Sequence, residues 1–149
     1  MTDHASSSAL VRILELRRMQ RAVAQAAAVE AAVYEVRALA ALDHATTERD
    51  DTLAQWHQQL SGSAFSPEIS TGFASAFQRS DERAVLAGEA ADGATADRRA
   101  SDHLWHQSDA HCRQAGALLA ESRRREARAR DEKALGTNAD RITLTWRRR

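Results

Sequence analysis

Ser61-Gly62-Ser63-Ala64-Phe65-Ser66-Pro67 is the stretch that decides the fold. It gathers two strong helix breakers and several turn formers between two long segments of helical periodicity. It therefore reads as the bend of a hairpin, over about residues 61–66. Pro67 suits the first position of a helix, with Ser66 as its cap and Glu68 favourably placed in the first turn.

Before the bend, small and apolar residues recur at Leu10, Ile13, Ala24, Ala27, Ala31, Tyr34, Ala38, Ala41 and Ala45. The spacing alternates between three and four and is interrupted by Arg17 and Gln20. A second track at Leu39, Leu42, Leu53, Trp56 and Leu60 takes over as the first runs into Glu48 and Thr52, which predicts a shift of seam. No Pro or Gly precedes Gly62. One helix over about residues 8–60 follows, with Ser6, Ser7 or Ser8 as cap and residues 1–7 as a flexible head.

After the bend, Phe73, Phe77, Ala84, Ala87, Ala91, Ala94, Trp105, Cys112, Ala115 and Leu119 repeat the pattern, which continues past Ser122 to Ala129. Gly88, Gly93 and Gly116 each cost about 1 kcal/mol against Ala inside a helix, so residues 88–101 are the expected bend or fray. Gly136-Thr137-Asn138 ends the pattern. The predicted second helix covers about residues 67–135, and residues 136–149 form a flexible basic tail. The fold class is all-α: a long antiparallel two-helix coiled-coil hairpin, with Ala along the seam so that the backbones approach closely.

Composition supports this. The 149 residues hold 32 Ala but only 25 Leu, Ile, Val and Phe together, with one Pro. An alanine core buries little area per residue, each methyl contributing under about 1 kcal/mol, which favours helices packed side by side over a globular core. The 21 basic and 21 acidic side chains balance, against a chain built wholly for gripping nucleic acid or anionic lipid. A lone Cys112 forms no internal disulfide, and no signal peptide or membrane span is evident, so a cytoplasmic setting is expected.

Chemistry has little to work with. His103, His106, Asp109, His111 and Cys112 form the one cluster of ligand-type side chains. His103, His106 and Asp109 share a broad helical face, but a single exposed helix lacks a closed shell, and a polar flank beside Trp105 and Cys112 is the better reading. His111 and Cys112 point about 100° apart, so no thiolate pair forms. No phosphate-binding glycine loop or nucleophile motif appears. No catalytic residue, metal site or cofactor is expected. Arg123, Arg124, Arg125, Arg128 and Arg130 are interleaved with Glu121, Glu126, Asp131 and Glu132, which reads as a self-paired helical face rather than a nucleic-acid site. Arg147, Arg148 and Arg149 have no such partners. Trp56, Phe65, Phe73 and Phe77 either close the hairpin tip over one another or present a patch to a partner.

The layout resembles the small coiled-coil stalk proteins of bacterial type III export, the flagellar FliJ family and its YscO relatives. The residues that carry the likeness are Leu10, Ile13, Leu14 and Leu16 ahead of an alanine-rich helix, Trp56 near the tip, Phe73 early in the returning helix, and the charged run Ala129 to Lys133. The resemblance implies a non-catalytic stalk between the export ATPase hexamer and the cytoplasmic domain of the export gate, with export chaperones as further partners. It would work at the cytoplasmic face of the inner membrane, reached only through partners. It implies a gate-facing patch at Trp56, Phe73 and Phe77, and an ATPase-facing end where Arg12, Arg17, Arg18 and Arg21 meet acidic groups. One Lys against 20 Arg, three glycines in the second helix and the long tail depart from the family's character. An unrelated cytoplasmic coiled-coil adaptor is the alternative, ahead of a nucleic-acid-associated protein.

Overall fold

The computed structural model describes residues 3–62 and 66–147. They form two helices, α1 (Asp3–Ser61) and α2 (Pro67–Arg147), packed against each other as an all-α hairpin. Pro67 opens α2, where a missing N–H costs nothing, and the Ser66 carbonyl accepts the first helical bond from Ser70 N–H at 3.0 Å. The Ser66 hydroxyl donates to Glu68 Oε2 at 2.8 Å. That bond, and then the backbone N–H of Glu68 itself, hold the Glu68 carboxyl below its ordinary value. Ser63, Ala64 and Phe65 lie outside the described residues.

The chain divides into two units, each holding a length of both helices: Gln25–Leu104, and Met1–Ala24 with Trp105–Arg149. In the first, Glu35 pairs with Arg98, Glu48 with Arg83 and Arg49 with Asp81, so the helices run antiparallel. In the second, Arg21 pairs with Asp109, and Leu14 lies against Gly116.

Burial on α1 corrects part of the seam read from the sequence: Leu10, Ala24, Ala31, Ala38 and Ala45 of the first track and Leu42, Leu53 and Trp56 of the second lie on the buried side, and the others do not. Leu10, Leu14 and Arg17, then Ala24, Ala28 and Ala31, and on through Glu35, Ala38, Leu42 and Ala45 to Arg49, Thr52 and Trp56, are half-buried or buried. With exposed Arg21 filling the step between Arg17 and Ala24, that is one register of alternating threes and fours. Of the expected track, Ile13, Ala27, Tyr34 and Ala41 are exposed instead, as are Leu39 and Leu60 of the second. The reason is electrostatic. The same register includes Arg21, which is exposed, half-buried Arg49 and buried Glu35, whose charges are met by Asp109, Asp81 and Arg98 across the hairpin, so a search for apolar residues is drawn in part onto the neighbouring stripe.

On α2 the expected seam is the observed one, with Ala84, Ala91, Ala94, Cys112, Ala115 and Leu119 buried. It does not extend to Ala129, which is exposed. The helix is unbroken through residues 88–101. Gly88 lies beside Leu42, and neither Gly88 nor Gly93 has a positive φ, so these two positions are ordinary helix. The helix also runs past residue 135 to Arg147, and α1 begins at Asp3 rather than 8. Gly136 is carried by the helix formers around it, Ala134, Leu135 and Ala139, while Thr137 and Thr143 fold their hydroxyls back onto the carbonyls of Lys133 and Ala139 at 2.8 Å.

Candidate functional site

At the bend, Trp56 and Phe77 face each other with ring centroids 6.3 Å apart and planes tilted by 41°. The indole N–H donates to Ser70 Oγ at 3.3 Å. Trp56, Phe73 and Phe77 are all half-buried between the helices. The structure thus brings together Trp56 and Phe77 as mutual packing, and among the described residues near the bend Leu60 and Ile69 are exposed large apolar side chains. Sequence reasoning placed Leu60 on a seam and passed over Ile69. The signal was register: each sits one residue off an inward position, Gln59 and Ser70.

The four arginines expected to meet an ATPase differ in their surroundings. Arg12 and Arg18 are exposed. Arg17 is half-buried and donates to Gln20 Oε1 at 2.9 Å, while Arg21 Nε sits 2.9 Å from Asp109 Oδ1. The α2 segment in the same unit is partly self-paired, Arg125 with Glu121, and Arg130 Nε reaches the Glu126 carbonyl at 3.3 Å. A shallow groove there is lined by Leu10, Leu118, Glu121, Ser122 and Arg125.

Midway along Gln25–Leu104, Glu35 is only 8% exposed and takes the Arg98 guanidinium at 2.5 Å. Arg98 lowers the Glu35 pKa, against desolvation, with a further hydrogen bond from Thr95. The same bond raises the Arg98 pKa. A buried carboxylate matched by one guanidinium fixes the register of two otherwise uniform alanine faces.

In the histidine-rich segment, Asp109 lies between Arg21 and Arg113, both at 2.9 Å. His106 stacks on Trp105 with centroids 4.7 Å apart, and Cys112 is buried on the seam. Among the described residues no three His, Cys, Asp or Glu side chains are grouped to hold a metal ion. Trp105 Nε1 is a buried donor without an acceptor, a burden of about 1–3 kcal/mol. No helix among the described residues is long and apolar enough to cross a membrane.

No family model, curated protein or solved structure matches the chain.

Proposed function

We propose that the chain is a non-catalytic adaptor that works by offering helix faces to partner proteins, and that its place is the stalk of a bacterial type III export apparatus, between the export ATPase and the cytoplasmic domain of the gate. The observation that carries the adaptor reading is the tip. Trp56 and Phe77 pack on each other there, and Leu60 and Ile69, each four residues from a tip aromatic in the chain, are exposed. The export assignment rests on the likeness in layout to the FliJ and YscO stalks. The gate-facing patch moves accordingly from Trp56, Phe73 and Phe77 toward Leu60 and Ile69, which can be contacted without dismantling the tip. On the ATPase side Arg12 and Arg18 are exposed cations, Arg17 is half-buried, and Arg21 is tied to Asp109 across the hairpin. The proposed setting is cytoplasmic.

Co-purification tests this. Tagged full-length chain should retain the export ATPase or the gate domain at physiological salt. Leu60→Ser with Ile69→Ser should abolish gate retention with helicity intact, and Arg12→Glu with Arg18→Glu should abolish ATPase retention. Retention of neither by the wild-type chain removes the export assignment. The alternative, a helical adaptor of another machine, would then stand on the same exposed tip.

A further inference from the structure

Between Ala26 and Leu42, α1 is apolar nearly all the way round. Only Glu30, Glu35 and Arg37 carry charge in that window, and Glu35 is turned inward onto Arg98. A helix with apolar residues on every side belongs inside a larger assembly, yet one neighbouring helix covers one side only. α2 covers the side of Ala28, Ala31, Glu35, Ala38 and Leu42. Val29, Val33, Tyr34, Val36 and Leu39 remain exposed, Tyr34 at 63% and Val36 at 64%. The antiparallel stretch of α2 shows Glu89, Asp92, Asp97 and Arg99 outward, with Leu104 as its exposed large apolar side chain, so most of the uncovered apolar surface belongs to α1.

The geometry points to a second copy of this chain as its cover, docked antiparallel on α1 about a two-fold axis near Val33 and Tyr34. The argument is charge complementarity. Glu30 and Arg37, the two exposed charges of the window, lie seven residues apart on one helical face. A two-fold axis between them sets Glu30 of each copy beside Arg37 of the other, forming the same ion pair twice, as an isologous interface requires. The same operation sets Ala26 and Ala27 against Ala40 and Ala41, small against small, so that the helices approach closely while Val33 and Tyr34 pack at the centre. Parallel pairing would stack Glu30 on Glu30 and Arg37 on Arg37, and like charges in register exclude it. The interface needs neither ATPase nor gate and is independent of the export assignment.

Sedimentation equilibrium of the full-length chain tests it, with circular dichroism as the folding control. The wild type should show a monomer–dimer equilibrium. Glu30→Arg and Arg37→Glu, each alone, should weaken self-association by more than about tenfold with helicity unchanged, because each sets like charges face to face. Mixing the two single variants should restore the dimer, since every cross-pair is then of opposite sign. The double variant should dimerise as the wild type does. A wild type that stays monomeric at all concentrations overturns the proposal. So does a dimer indifferent to both charge reversals. If the chain is monomeric and Tyr34→Glu instead abolishes capture of the ATPase or gate, or flotation with anionic vesicles, the face belongs to that other occupant and the homodimer is wrong.

Discussion

At the scale of single residues, the Glu35–Arg98 pair carries the sharpest consequence. The Glu35 carboxyl in the folded chain lies below its ordinary value of 4.5, chiefly because Arg98 donates to the ionised form. A lowered folded pKa means that the charged carboxylate favours the folded state. Its contribution is complete above the unfolded pKa and is lost as pH falls through the folded one. The urea midpoint should therefore decline as pH drops from about 5 toward 3, and Glu35→Gln should flatten part of that decline. At neutral pH Arg98→Ala should destabilise more than Glu35→Gln, because it leaves a buried carboxylate unmatched while the amide leaves no charge behind. Urea titrations of both variants at two pH values decide this. The tip permits a second residue-level check. Trp56→Ala and Phe77→Ala should each destabilise, and their double-mutant cycle should return a coupling of about 0.5–1.5 kcal/mol if the tilted ring contact is as described. A coupling near zero would mean that the two rings act separately.

At the scale of the helices, the glycines that looked like weak points are ordinary helical positions. A Cβ added at Gly88 would meet Leu42 Cδ1 at 3.9 Å, a normal contact, and one at Gly93 would meet nothing within 4 Å. Gly88→Ala and Gly93→Ala should each stabilise the hairpin by about 1 kcal/mol, read from thermal or urea unfolding. A loss at Gly88 would show the seam too tight there for a methyl group. The same scale explains what was legible beforehand. The bend at Gly62 and Pro67, the two-helix layout and the α2 seam could be read because small and aromatic residues mark them without interruption. The α1 seam was legible only in part: Leu10, Ala24, Ala31, Ala38, Ala45, Leu42, Leu53 and Trp56 lie on the buried side, but Glu35 and Arg49 share it, and a charged residue looks like an outward one until its opposite charge on the other helix is known. Pairing between residues tens of positions apart in the chain is invisible to local periodicity. The extension to Arg147 was missed for another reason: a Gly-Thr-Asn triplet outweighed the helix formers on either side of it.

At the scale of the whole molecule, the candidate surfaces follow from a simple imbalance. Two helices bury one side of each other, and the remaining apolar side chains must face partners or water. Leu60 and Ile69 at the tip and Val29 to Leu39 along α1 are such residues. Neither surface was visible as a site in the sequence, since Leu60 and Tyr34 both fell on tracks that read as core. Of the tip aromatics, Trp56 and Phe77 pack on each other, and of the four arginines Arg21 is paired with Asp109 across the hairpin. The adaptor reading is tested most directly by hydrogen exchange on the full-length chain, alone and with the export ATPase or the gate domain. The account predicts slowed exchange around Leu60 and Ile69 on adding the gate domain, and around Arg12 and Arg18 on adding the ATPase. Unchanged exchange at both places with both partners would contradict it.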